Sequence, residues 1–233
     1  MTETAYRHAL IVGVGAGLSA SLARTFTKAG LTVALAARRG GDLAALAKET
    51  GGKVFTCDAT NRAEVAKLFA DAEAAFGDVD VVVYNPSYRT RGPFVELDPD
   101  EVAKSITVSA FGGFLVAQEA AKRMLPRGRG AILFTGASAS VKGYAQSAPF
   151  AMGKFALRGL AQSLARELSP QGIHVAHVVI DGGIRSARRA DPPDRPDSTL
   201  DPDAIAGTYL NLLQQDRSAW AWEIELRPWV ERF

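Results

Sequence analysis

The chain has 233 residues, 47% hydrophobic and 22% charged, with a formal net charge of +2. That balance fits a single α/β domain with a sizeable core and argues against a nucleic-acid-binding or membrane-facing surface. One cysteine, Cys57, excludes an internal disulfide, suits a reducing compartment and reads as a small buried hydrophobe.

No apolar run approaches a membrane span. The opening residues MTETAYRHAL carry no secretory hydrophobic region, so a soluble, cytoplasmic protein is expected. Leu10–Ile11–Val12 reads as a short buried strand, and Leu18, Leu22, Ala23 and Phe26 recur at helical spacing. Between them Gly13, Gly15 and Gly17 form a turn whose missing Cβ atoms let backbone N–H groups approach a phosphate at a helix start. The literal G-x-G-x-x-G is absent, yet strand, glycine turn and helix together read as the start of a dinucleotide-binding unit.

A second strand is expected over 31–37, followed at once by Arg38 and Arg39. At this strand tip an acidic side chain would serve the 2′-hydroxyl of NAD, whereas arginine suits the 2′-phosphate of NADP. Ala37 takes the acidic place, so NADP(H) is expected over NAD(H). A short helix follows at 42–49, closed by Gly51–Gly52, then a third strand at 53–57 ending in Asp58. Asn61, with Glu64 in the capping-box position, opens a helix to about Phe76. A fourth strand covers 79–84, stopped by Asn85–Pro86. The β-α alternation predicts a doubly wound, mainly parallel sheet covered on both faces.

A long helix is expected over 99–125, opened by Asp98–Pro99, with the small-residue stretch Ser109–Gly113 in its middle. A fifth strand at 131–135 leads through GASASVKGYAQSA into a second long helix from near Pro149 to Leu168, with Leu157, Leu160, Leu164 and Leu168 as its buried stripe. A sixth strand covers 173–180. Residues 185–203, rich in Pro, Arg and Asp, are not expected to be regular throughout. A helix at about 202–215 and a strand at 222–226 complete one domain spanning 1–233.

With these blocks in order, the chain resembles the short-chain dehydrogenase/reductase family over essentially its whole length. The resemblance rests on VGVGAGLS, CDAT, YNPS, AILFTGASAS, FAMGKFALRGLAQSLARELSPQGIHV and IDGGIRS. It implies a Rossmann fold and hydride transfer between NAD(P) and a carbonyl or hydroxyl compound. In that family a tyrosine handles the proton, a lysine four residues later lowers its pKa, a serine polarises the substrate oxygen and an asparagine positions a relay water. Here Lys154 and Ser138 match, but Phe150 stands at the tyrosine position and Ser109 at the asparagine position. The resemblance further implies that Gly13, Gly17 and Leu18 cradle the pyrophosphate, Asp58 serves the adenine and Asn85 the ribose. Lys154 would hold the nicotinamide ribose, and Gly182 and Ile184 lie in the turn that meets the carboxamide. It places a substrate lid at about 185–203, where Arg185, Arg188, Arg189 and Arg195 are interleaved with Asp191, Asp194 and Asp197. Either an anion-recognising lid or a solvated loop fits that pattern.

Phenylalanine has no ionisable proton, and losing general acid–base help costs roughly 10²–10⁴-fold in rate. Tyr144 is the foremost replacement acid, with Tyr84, Tyr88 and Lys154 itself as others. The reading that follows is an NADP-dependent oxidoreductase with altered proton transfer, acting on a small molecule; the alternative is an NADP-binding sensor or scaffold without turnover. A homodimer or homotetramer through the two long helices is expected, and the three tryptophans, Trp220, Trp222 and Trp229, suggest an aromatic cluster at the chain end. Gly136–Ser140 faintly matches a hydrolase elbow, but His174 and His177 show no orienting carboxylate nearby in sequence. No metal-ligand spacing is present.

Overall fold

The computed structural model describes residues 6–187 and 189–231. The leader reading, which rests partly on residues 1–5, and Arg188 of the arginine group lie outside them. In chain order the elements are β1 (His8–Val12), α1 (Leu18–Lys28), β2 (Thr32–Ala37), α2 (Ala44–Thr50), β3 (Lys53–Thr56), α3 (Arg62–Phe76), β4 (Val81–Tyr84), α4 (Pro99–Ile106), α5 (Gly112–Met124), β5 (Gly130–Thr135), α6 (Ala148–Leu168), β6 (Ile173–Ile180), β7 (Gly183–Ile184), β8 (Thr199–Leu200), α7 (Pro202–Leu213) and β9 (Glu223–Leu226).

Seven strands form one sheet in the order β3-β2-β1-β4-β5-β6-β9, and every neighbouring pair is parallel. Alternation along each strand sends one set of side chains to each face. Ile11, Val33, Val83 and Leu133 pack under α1 and α7, while Leu10, Ala34, Val82 and Ile132 pack under α3, α5 and α6. Such two-sided burial explains why the strands read as near-continuous apolar runs. The chain winds outward from β1 to β3, then restarts beside β1 with β4. The switch point therefore lies between the carboxyl ends of β1 and β4, where a crevice opens.

The helix boundaries follow local chemistry. Asn61 caps α3 by accepting from the N–H groups of Ala63 and Glu64, and Asp98 caps α4 ahead of Pro99. Glu64 does not close the expected capping box: its carboxylate accepts from the Asp58 N–H at 2.8 Å and so ties α3 to the end of β3. The long helix expected over 99–125 is interrupted, because a π-turn at Thr107–Phe111 separates α4 from α5. Such turns insert one residue into the helical repeat and often mark functional sites. On α6 the buried stripe is Leu157, Ala161, Ala165 and Leu168; Leu160 and Leu164 sit at its flank, half-buried. The three tryptophans do not cluster. Trp220 stacks on His174 at 4.7 Å, Trp222 lies under Arg158 and Trp229 is 82% exposed.

Candidate active site

At the carboxyl edge of the sheet, cavities open on either side of the segment that follows β4. The first, about 550 Å³, sits at the switch point and is lined by Gly13, Gly15, Ala16, Arg38, Arg39, Asp58 and Asn85, among others. Gly13 holds φ +83°, and a Cβ there would meet the Pro86 ring at 2.7 Å. Only glycine fits this turn without strain. Asn85 locks the turn from the other side. Its backbone N–H donates to the Val12 carbonyl at 3.0 Å and its amide donates to Ser19 Oγ at 2.6 Å. Ser19 Oγ in turn donates to the Gly13 carbonyl at 3.1 Å.

Helix α1 starts at Gly17 with no side-chain cap and no acidic residue in its first turn. Its positive dipole end is thus open to an anion. Asp58 accepts from Thr60 N–H at 2.9 Å and Thr60 Oγ at 2.7 Å; those bonds, with a smaller pull from Arg38, hold its carboxyl below the usual range. A cradle that a Cβ would fill, an uncapped helix start and two arginines at the rim together fit an anionic dinucleotide carrying a further phosphate. Gly17 and Leu18, expected in the cradle, do not line the cavity; the crown of the turn, Gly15 and Ala16, does, because Leu18 turns into the core.

The second cavity, about 390 Å³, brings together Ser138, Tyr144, Phe150 and Gly182. Ile184 lies outside its wall, paired in register with Leu200 of β8. Lys154 is buried one helical turn beyond Phe150. Its Nζ donates to the Thr135 carbonyl at 2.7 Å and lies 5.9 Å from the Phe150 ring centre. Burial, reinforced by the Arg89 charge, pushes the Lys154 ammonium down to about 7.

Against burial, which raises it, the Ser138 hydroxyl and the Lys142 and Arg227 cations hold the Asp181 carboxyl below its usual range; Lys142 lies at 2.9 Å and Arg227 at 3.4 Å. Tyr84 and Tyr88 are excluded as acids. Tyr84 is fully buried and donates to the Val108 carbonyl at 2.5 Å; Tyr88 donates to Glu101. Tyr144 remains in the cavity wall, 49% exposed. Ser109 sits in the π-turn against Gly153 of α6, where a Cβ would come within 2.8 Å of the serine. Its buried Oγ meets no protein partner among the described residues.

His177 does have a carboxylate, which its sequence neighbours conceal. Parallel pairing sets it opposite Glu223 of β9, whose Oε2 lies 3.0 Å from His177 Nδ1. His177 Nε2 is 3.3 Å from Ser140 Oγ, and Glu223 is clasped by both nitrogens of an Arg158 fork at 2.6 and 2.7 Å. Ser140 and His177 are completely buried, so this serine–histidine–glutamate line cannot meet a substrate. It braces the turn instead, since Ser140 Oγ also accepts from the Ala137 N–H at 3.2 Å. Burial outweighs Glu223 and pushes His177 down to about 4, keeping it neutral.

Known proteins share the fold. A family model described as short chain dehydrogenase matches residues 7–193. An uncharacterized oxidoreductase of Staphylococcus aureus (strain N315) is 28% identical across 98% of this chain and 100% of its own length. A short-chain dehydrogenase from Rhodopseudomonas palustris superposes with a TM-score of 0.83 at 36% identity, covering 96% of this chain and 99% of that one. A metagenomic short-chain oxidoreductase solved in complex with NADP gives a TM-score of 0.82 at 26% identity, covering 97% of this chain and 99% of that one.

Proposed function

The chain belongs to the short-chain dehydrogenase family, and on that premise we propose that it is an NADP(H)-dependent oxidoreductase interconverting a carbonyl and a hydroxyl compound. The observation that carries this reading is the adjacency of the two cavities. One offers a glycine cradle and two arginines, the other Ser138 and Tyr144 above a buried lysine. The NADP bound by the metagenomic relative supports the choice of coenzyme. Arg38 and Arg39 would pair with the 2′-phosphate, the Gly13–Ala16 turn and α1 with the pyrophosphate, Asp58 with the adenine and Asn85 with the adjoining ribose. The Gly182–Ile184 turn would meet the carboxamide.

When bound, the coenzyme supplies or accepts a hydride at the substrate carbon. The chain's own residues manage the proton that must accompany it. Lys154 Nζ, poised about 7, holds and releases that proton, with Tyr144 at the cavity wall as its exit to solvent. Ser138, in the cavity wall, would hydrogen-bond the substrate oxygen. Residues 185–203 act as the lid, tied back by the β7–β8 pairing. Exposed Phe111 and Phe114, stacked at 6.1 Å, together with Met152 and Phe155, favour assembly as a dimer or tetramer through α5 and α6.

One observation favours a second reading, a coenzyme-binding sensor without turnover. The family's phenol is replaced by Phe150, whose ring carries the Arg89 guanidinium at 4.1 Å. A screen of ketones and alcohols with NADPH and NADP+ separates the two. Turnover that Lys154→Ala abolishes supports the oxidoreductase; tight NADPH binding with no turnover across a broad panel supports the sensor.

A further inference from the structure

The second cavity has an unusual charge. Arg89, Arg91 and Arg189 line it, and among the described residues no aspartate or glutamate does. Among the described residues, none of the three forms an ion pair. Arg89 lies over Phe150, and Arg189 lies along Gly183 so closely that a Cβ there would meet its Cδ and Nη1 at 3.0 Å. Like charges gathered without a counter-ion repel one another, and the cost is recovered only when an anion enters. Partial desolvation, followed by the charges of Arg91 and Arg189, indeed weakens Arg89's hold on its proton.

The arginines after β4 are also held in place before any ligand arrives. The Tyr88 carbonyl accepts from Ser105 Oγ at 3.0 Å, and the Gly92 N–H donates to the Gln146 carbonyl at 3.2 Å. Arg89 and Arg91 therefore project from a segment pinned on one side to Ser105 of α4, whose Oγ also lies 3.2 Å from the Pro149 carbonyl of α6, and on the other to the loop that carries Tyr144. A ring with no hydroxyl suits this design. Phe150 gives Arg89 a flat apolar face to stack on while leaving its N–H groups free for an oxyanion.

We propose that the substrate is a small organic anion whose carboxylate or phosphate is held by Arg89, Arg91 and Arg189, with its reacting carbon toward Ser138. This rests on the oxidoreductase reading and names its substrate class. Arg89 and Arg91 lie outside the lid, and Arg189 is the lid arginine that joins them; Arg185 is instead occupied by Asp191 at 3.2 Å.

The test is calorimetric titration of the NADP+-saturated protein, where no reduction can occur, with three compounds of similar shape. Hydroxypyruvate carries a carboxylate, dihydroxyacetone phosphate a phosphate and dihydroxyacetone neither. At least one anion should bind about tenfold or more tightly than the neutral ketone, and the better anion identifies the headgroup. Arg89→Gln combined with Arg91→Gln should erase that preference, as should raising the salt concentration. Equal binding of all three compounds, or an anion preference unchanged in the double variant, overturns the proposal. So does a variant that loses NADPH affinity and keeps the anion preference, because the arginines would then serve the coenzyme. If wild-type protein bound no NADPH, the coenzyme reading would fail, and titration of the anions alone would still decide the role of the arginines.

Discussion

The Arg89 guanidinium rests 4.1 Å from the centre of the Phe150 ring. The helix that would carry the family's phenol thus presents a cation-bearing apolar face to the second cavity, with Lys154 buried behind it. In the proposed oxidoreductase, proton handling would fall to Lys154 and the cavity rim, and that shift in chemistry is testable.

Restoring the phenol should restore rate. Phe150→Tyr is expected to raise carbonyl reduction by about 10²-fold or more, the lower end of the 10²–10⁴-fold range of general acid catalysis. Steady-state kinetics with NADPH measure it. An unchanged or lower kcat would show that position 150 does not face the reacting oxygen.

The pH dependence should report Lys154. Its ammonium is depressed to about 7, so reduction, which needs its proton, should weaken as pH rises through 7 while oxidation strengthens. The same depression means that between about pH 7 and the usual lysine value of 10.5 the unfolded chain binds a proton the folded one does not. Folding stability should therefore rise with pH across that window. Lys154→Met should remove both dependences, read by rate profiles and by urea unfolding at several pH values.

The buried brace under the Ser138 turn predicts a stability effect on the acid side. His177 is held neutral, its folded value near 4 lying below the ordinary 6.5. Its contribution is present above pH 6.5 and is lost as pH falls toward 4, when the unfolded chain takes up the proton first. Glu223→Ala leaves His177 Nδ1 and the Arg158 fork without their acceptor, and should cost about 1–3 kcal/mol at pH 7. Urea unfolding measures both; a variant as stable as wild type would remove the brace from the account.

What was legible in the sequence was whatever is decided locally. The glycine turn after β1, the caps at Asn61 and Asp98, and the run of β6 depend on neighbours within a few residues, and the structure reproduces them. The π-turn at Thr107–Phe111 was not legible, since Ser109–Gly113 continues an acceptable helical pattern and only the close approach of Gly153 discloses the distortion. The Glu223 partner of His177 escaped because the two residues meet only through the register of β6 against β9. Arg89 and Arg91 carry no local pattern that marks them in the sequence; only the fold brings them onto one cavity with Arg189.

The proposed function requires a phosphate-bearing dinucleotide at the switch point between β1 and β4, and fluorescence titration with NADPH and NADH measures its binding directly. Wild-type protein should bind NADPH about tenfold or more tightly than NADH, with the preference lost in the Arg38→Ala, Arg39→Ala variant. Failure of both coenzymes to bind at millimolar concentration, or a preference for NADPH that survives loss of the two arginines, would contradict it.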